Sequence, residues 1–329
     1  MGRLRILFLG GTGTISGACV RRARDAGHDV TVLNRGNRPM PEGVRSLVAD
    51  VRDPDGLRAA VRGERFDVVA DFLSYTPPQL AASLDVFEPL AGQYVFISTA
   101  SAYEKPVRRL PVTESTPLRN PFWEYSRGKI ACEDLLVAAF RERALPVTIV
   151  RPSHTYDDAR LVSVGKWTDV ARLRAGKPVV VLGDGTSLWT VTHADDFAVA
   201  FTGLLGTDAA IGEALTITGD HAPSWEQIYR WMADAAGVSD PEFVHVPSEA
   251  IAAFRPELGP GLLGDKSHSM VFDTTKVRAL VPEFRTTITY DEGARRTIAH
   301  LDRHPELQAA DDTLDAAFDR MVSWARSAG

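Results

Sequence analysis

Residues 5–17 read Arg5-Ile-Leu-Phe-Leu-Gly10-Gly-Thr-Gly-Thr-Ile-Ser-Gly17, and this stretch decides the fold. Four consecutive apolar residues run directly into glycines, and a helical pattern over 16–26 follows. A strand that is apolar on both sides is buried on both faces, which points to a parallel sheet covered by helices. Gly10 and Gly13 permit a tight turn and let a pyrophosphate approach the backbone. The start of the helix then supplies free N–H donors and a positive dipole end. The third place of the glycine pattern is Ser16, with Gly17 next, and a small residue is enough for close packing of helix on strand. Gly10, Thr12, Gly13, Thr14 and Ile15 are therefore the candidate contacts of this turn.

Outward from this turn, strand patterns fall at 5–9, 29–33, 66–72, 94–98 and 147–150, with helical patterns at 16–26, 54–61, 78–87 and 123–143. The alternation predicts an α/β fold with a doubly wound parallel sheet. The rhythm breaks after Arg151-Pro152. Residues 191–201 read as a return to the sheet domain and 214–218 as a further strand, while helices dominate from 221 onward. The expected organisation is a dinucleotide-binding domain over 1–154, to which 190–220 returns. A smaller, mostly C-terminal substrate domain takes 155–189 and 221–329. The ligand is expected in the cleft between them.

The chain has 329 residues, 44% hydrophobic and 24% charged, with a formal net charge of −6. A sizeable core is feasible, and there is no general attraction to nucleic acid or anionic membrane. No apolar run approaches the roughly 20 residues that span a bilayer. The apolar run near the N-terminus is too short for a signal-peptide core. Cys19 and Cys132, the two cysteines, sit in helical patterns and read as small core residues, which argues against a redox pair or a metal site. The expected compartment is reducing and cytoplasmic.

The second strand ends Leu33-Asn34-Arg35-Gly36, with Arg38 close behind. An NAD site carries Asp or Glu here for the ribose hydroxyls, and an NADP site uses Arg for the 2′-phosphate. Asn34, Arg35 and Arg38 therefore favour NADP, with NAD as the alternative. Farther on, Tyr125-Ser-Arg-Gly-Lys129 sets a phenol and an ammonium four residues apart on one helix, so they share a face. A nearby cation can lower the phenol's pKa and suit it to proton exchange with a substrate hydroxyl. The strand that ends Phe96-Ile-Ser-Thr99 brings hydroxyls to the carboxyl edge of the sheet, where ligands bind in such folds.

With these motifs the chain resembles the extended short-chain dehydrogenase/reductase family, the NAD-dependent epimerase/dehydratase group, over nearly its whole length. Further matches are Ala49-Asp-Val51, Phe72-Leu-Ser74, Val150-Arg-Pro152, Gly183-Asp-Gly185 and His193-Ala-Asp-Asp-Phe-Ala198. The resemblance implies a Rossmann fold and assigns catalysis to Thr99, Tyr125 and Lys129. It places Asp50 and Val51 at the adenine end of the cofactor. Phe72, Leu73 and Ser74 form the wall beside the central riboses, and Pro152 and His154 lie near the nicotinamide. Thr99, Tyr103, His154 and Trp189 are the implied substrate contacts, and Trp167 is a further candidate. His193, Asp195 and Asp196 read as structural caps. Within the family the chain resembles a bacterial branch similar to chloroplast stem-loop RNA-binding proteins. Those relatives are expected to lack the tyrosine that this chain keeps.

Two departures narrow the substrate. The sugar-nucleotide enzymes of the family carry Asn and Arg, able to meet a pyrophosphate, where this chain has His154 and Trp189. Trp189 offers a stacking surface instead, although Arg172, Arg174, Lys177 or Lys266 could supply a phosphate partner. The dehydratases carry Asp-Glu after the Ser-Thr pair, where this chain has Ala100-Ser101, which disfavours 4,6-dehydration. The expected function is an NAD(P)-dependent oxidoreductase or epimerase acting at a secondary alcohol or ketone of a carbohydrate-like small molecule, nucleotide sugars included. A homodimer stays open. The alternative is a non-catalytic cofactor-sensing or RNA-associated binding protein on the same fold, against which stand the acidic charge and the lack of a basic stripe with interleaved aromatics.

Overall fold

The structure is a computed structural model and describes residues 2–328. Its strands are β1 (Arg5–Leu9), β2 (Asp29–Asn34), β3 (Arg45–Val48), β4 (Phe66–Asp71), β5 (Ala91–Ile97), β6 (Val147–Pro152), β7 (His154–Tyr156), β8 (Val179–Leu182), β9 (Val191–His193), β10 (Ala214–Ile217) and β11 (Phe243–Val246). The principal helices are α1 (Thr14–Asp25), α2 (Pro54–Ala60), α3 (Pro77–Phe87), α4 (Glu124–Arg143), α5 (Trp167–Arg174), α6 (Ala194–Gly203), α7 (Trp225–Ala235), α8 (Ser248–Phe254), α9 (Thr275–Leu280), α10 (Tyr290–Arg303) and α11 (Asp312–Ala328). No described helix is long and apolar enough to cross a membrane.

Seven strands form one parallel sheet in the order β10-β6-β5-β4-β1-β2-β3. The doubly wound α/β class expected from the first strand is the observed one. Strand alternation divides β1 between two cores. Ile6 and Phe8 join α1 and α6 on one face. Leu7 and Leu9 join α3 and α4 on the other. Both faces are dry, so polar residues along these strands would have no water to meet, and the sequence carries apolar runs there. The order reverses at β1, so the connections from β1 and β4 leave in opposite directions and a crevice opens at their carboxyl ends.

Two readings of the chain, at β3 and at Trp167, are corrected. The edge strand β3 was not among the strand patterns: three of its four residues are exposed, and no apolar run marks it. Residues 191–201 meet the core of the main sheet through a helix. There β9 pairs with β7 in a separate two-stranded sheet, and it is α6 that packs back, against α1. Trp167 lies in a third core with Trp225, Met232 and Phe318, and the Arg174 guanidinium sits 5.5 Å from its ring centre. It does not line the central cleft.

At the carboxyl end of β5 and β6 the fold buries an ion pair. The Arg151 guanidinium donates Nε–H to both Glu133 carboxylate oxygens at 3.0 and 3.1 Å. The Ser98 hydroxyl donates to the same carboxylate. Arg151 also donates to the Tyr103 hydroxyl at 3.1 Å, and that hydroxyl meets Thr216 of β10. Tyr103 is fully buried in this network and does not reach the cleft, which removes it from the substrate contacts. Removing one partner of a buried pair leaves the other charge unsatisfied. Glu133→Ala is therefore expected to cost about 3–5 kcal/mol in urea unfolding, and the double change Glu133→Leu with Arg151→Met to be less destabilised than Glu133→Ala alone. A Glu133→Ala protein within about 1 kcal/mol of wild type would show the pair to be dispensable.

Candidate active site

Two adjoining cavities occupy the crevice between β1 and β4. The first, about 600 Å³, extends from the α1 turn past Phe72 to Thr99, Tyr125 and Lys129, and on to Pro152, His154 and Trp189. The second, about 660 Å³, runs from the same turn to Asn34, Arg35, Arg38, Asp50 and Val51. Each is ligand-sized. Gly10, Thr12, Gly13, Leu73, Tyr75 and Arg160 belong to both.

At their junction the backbone turns sharply. Gly10 has φ +89°, and a Cβ on Gly11 would stand 2.8 Å from a Val32 methyl. The Ser16 hydroxyl accepts from the Gly13 N–H at 3.0 Å, so the serine in the third glycine place ties the turn to the helix. The first turn of α1 holds no acidic residue. The Thr14 hydroxyl there is buried and has no hydrogen-bond partner among the described residues. Free N–H groups, a positive helix end and an unpaired hydroxyl fit a bridging diphosphate. Around the second cavity, Arg38 donates to the Thr12 carbonyl at 2.9 Å, and Asn34 accepts from the Gly36 N–H at 2.7 Å. The Arg35 side chain has no hydrogen-bond or ion-pair partner among the described residues. Asp50 is paired with Arg52 at 2.6 Å, which holds its carboxyl well below the usual range.

Tyr125, Lys129 and Glu133 stand at intervals of four on α4 and share one face. Glu133 anchors the helix, and Tyr125 and Lys129 meet the cavity. The Lys129 ammonium is buried and donates to the carbonyls of Ser74 and Ile97 at 2.6 and 2.7 Å, 4.6 Å from the Tyr75 ring centre. Burial lowers its pKa to about 8. Burial also pushes the Tyr125 phenol up to about 12, which the nearby Thr99 hydroxyl partly offsets. The expected lowering of the phenol by Lys129 is not what the fold produces, because the ammonium is turned to backbone carbonyls. Thr99 is fixed in turn by Ser101 at 3.0 Å, which meets Ser126 at 2.7 Å.

Ser74 lies behind the wall it was expected to form. Its hydroxyl is bound to Asp71 and its carbonyl to Lys129, and Tyr75 faces the cavities in its place. Trp189 lines the first cavity but is 2% exposed, and its ring is stacked on Trp225 at 5.4 Å. The face expected to take a sugar is therefore partly covered. Burial holds the His154 imidazole neutral, with a pKa near 3. Arg172, Arg174 and Lys177 are committed to Asp315, Asp302 and Asp319 away from the cleft, whereas Lys266 lines it beside Asp265. His193 caps α6, its Nδ1 accepting from the Asp195 N–H at 3.2 Å. Asp196 instead accepts from the N–H groups of Thr287 and Ile288.

Sequence reasoning missed Trp123 and Asp265 at the substrate end. No motif marks Asp265. It is brought in because Asn120 donates to the carbonyls of Ser101 and Gly264 at 2.8 and 2.7 Å, which pins the 262–266 turn over the cleft.

A dinucleotide-sized crevice beside a Thr-Tyr-Lys set defines an oxidoreductase-type site on a doubly wound sheet. Residues 6–217 match the model of the NAD dependent epimerase/dehydratase family, and the chain belongs to that family. It is 31% identical over 290 residues to the 2'-dehydrokanamycin reductase of Streptomyces kanamyceticus, covering 86% of this chain and 80% of that protein. It is 28% identical over 256 residues to the chloroplast stem-loop binding protein of 41 kDa b of Arabidopsis thaliana, covering 73% of this chain and 65% of that one. The structure of UDP-glucuronic acid 4-epimerase from Bacillus cereus, bound to UDP-glucuronic acid and NAD, superposes with TM-score 0.72 at 18% identity, covering 91% of this chain and 99% of the other.

Gly128 lies between Tyr125 and Lys129 where α4 crosses the chain after β4. A Cβ there would come 2.8 Å from the Tyr75 carbonyl oxygen. Backbone cannot yield as a side chain can, so Gly128→Ala displaces α4 or the 72–75 segment. The expected result is a loss of about 1–3 kcal/mol in stability, together with weaker binding of nicotinamide dinucleotide. Thermal melting and cofactor titration check it, and unchanged values in both would show the approach to be loose.

Proposed function

We propose that this chain is an NADP-dependent oxidoreductase that reduces a ketone to a secondary alcohol on a carbohydrate-like substrate, the reverse oxidation being available. The observation that carries this reading is the set of Thr99, Tyr125 and the buried Lys129 brought together at the wall of the first cavity. The nicotinamide cofactor, when bound, supplies the hydride. Thr99 holds the substrate oxygen, and Tyr125 gives its proton to that oxygen. Lys129 would hold the nicotinamide ribose and keeps a positive charge near Tyr125. Residues 1–154 with 190–220 form the cofactor half, and 155–189 with 221–329 close the substrate side.

NADP is favoured because Asn34 supplies no carboxylate at the end of β2, and Arg35 is free to meet a 2′-phosphate at the second cavity. At the substrate end, Asp265 and Lys266 offer polar groups beside the aromatic wall of Trp123 and Trp189, an arrangement suited to hydroxyl-rich rings. The relationship to a dehydrokanamycin reductase favours a glycoside over a nucleotide sugar. So does Trp189, which stands where the resemblance puts a phosphate-binding arginine.

Tyr125→Phe is expected to lower the rate of ketone reduction by about 10²- to 10⁴-fold while NADP affinity stays unchanged. Wild-type turnover in that variant would end the proton-transfer assignment. Arg35→Asp is expected to weaken NADP binding and to spare or improve NAD. A wild type that binds NAD alone would overturn the cofactor preference.

The pH profile separates the two groups on α4. A phenol with a pKa near 12 stays protonated through neutral pH, as a proton donor must. The Lys129 charge, by contrast, is lost as pH rises through about 8. Reduction is therefore expected to be flat below that value and to decline above it, as measured by kcat against pH. A profile that rises through pH 8 would contradict the assignment.

A further inference from the structure

Arg160 is the one charged side chain common to both cavities. It belongs to neither the glycine turn nor α4. It follows β7, in the segment that leads toward α5. Its backbone is held in place. The Arg160 N–H donates to the Asp157 carbonyl at 3.1 Å, the Asp157 carboxylate accepts from the Ala159 N–H at 3.0 Å, and the Thr297 hydroxyl of α10 donates to that same Asp157 carbonyl at 3.1 Å. Its guanidinium is exposed and has no hydrogen-bond or ion-pair partner among the described residues. A pinned turn that carries an uncommitted cation over a cleft is poised for an anion.

The two cavities fix which anion. One holds Tyr125 and Lys129, and the other holds Arg35 and Asp50. A dinucleotide lying across both has its bridging diphosphate at their junction, beside Gly10, Thr12 and Gly13. The turn itself offers N–H groups and the Thr14 hydroxyl but no side-chain cation. Lys129 is engaged with two carbonyls, and Arg38 with the Thr12 carbonyl. We infer that Arg160 clamps the bridging diphosphate of the nicotinamide cofactor from the substrate side, supplying the countercharge that the glycine turn lacks. The inference rests on the proposed dinucleotide reading of the crevice. It makes cofactor binding depend on a residue outside the dinucleotide-binding half.

The test is calorimetric titration of the full chain with NADP, NAD, ADP-ribose and adenosine 2′-monophosphate, for wild type, Arg160→Met and Arg160→Lys. Arg160 is exposed, so melting temperatures should match. Loss of a charge-assisted contact predicts about a tenfold to hundredfold weaker affinity of Arg160→Met for ADP-ribose and for the preferred dinucleotide. Adenosine 2′-monophosphate, which has no bridging diphosphate, should bind both proteins alike, and Arg160→Lys should keep part of the affinity. Wild-type affinity for ADP-ribose should also fall more steeply with added KCl than that of Arg160→Met. Arg160→Met within twofold of wild type on ADP-ribose overturns the clamp alone. An equal loss on adenosine 2′-monophosphate also overturns it, by moving Arg160 to the adenine end. A wild type that binds none of the dinucleotides or ADP-ribose overturns the cofactor reading and the clamp together.

Discussion

The buried pair between Glu133 and Arg151 is the constraint on which the site depends. Their side chains are 3% and 7% exposed. Two charges withdrawn from water this far are tolerable only when their hydrogen-bonding capacity is met, and here Ser98 and Tyr103 meet it. The consequence is geometric. One carboxylate joins α4 to the ends of β5 and β6, and Tyr103 carries the connection to β10 through Thr216. With Lys129 bound to two carbonyls and Ser126 to Ser101 on the same helix, α4 cannot rotate without breaking buried polar contacts. Because Tyr125, Lys129 and Glu133 recur every four residues, fixing Glu133 inward aims the other two at the crevice.

That orientation has an electrostatic result. Burial opposes charge, and it acts in opposite directions on an acid and a base. The phenol is raised and the ammonium lowered, so the two groups are drawn apart from the values their proximity alone would suggest. The Asp71 and Glu133 carboxylates counter the burial and leave Lys129 near 8, while the carbonyls of Ser74 and Ile97 accept its hydrogen bonds. A protonated phenol beside a retained cation suits proton donation to a reduced carbonyl oxygen better than proton abstraction. Removing the Ser74 carbonyl from this role would need the chain after β4 to move, and Gly128 lets α4 approach that chain closely.

The substrate end is built on weaker and more distant links. Trp189 bridges to Met270 and Val112 to Phe272 through single backbone pairings. Asn120 ties Ser101 to Gly264. These links bring segments from far along the chain onto one wall, and all three end in the 262–272 region that presents Asp265 and Lys266. The aromatic rings beneath are packed on one another, as with Trp189 on Trp225, so the wall is firm.

The sequence by itself determined what periodicity and local chemistry can carry. Apolar runs at Ile6–Leu9 and their counterparts require burial on both faces, and that alone specifies a parallel sheet under helices. The glycine turn specifies an anion-binding helix start, and the Tyr125 and Lys129 spacing specifies a shared helix face. Tertiary structure decided everything that depends on which remote group arrives beside a residue. It sent Tyr103 to an ion pair and Ser74 behind the wall, set Tyr75, Arg160, Asp265 and Lys266 on the cleft, and paired β9 with β7 away from the main sheet. The direction of the Tyr125 shift belongs here as well. A local motif records that a cation is near, whereas desolvation and the choice between a phenol and two carbonyls as partners depend on packing from chain segments many residues away.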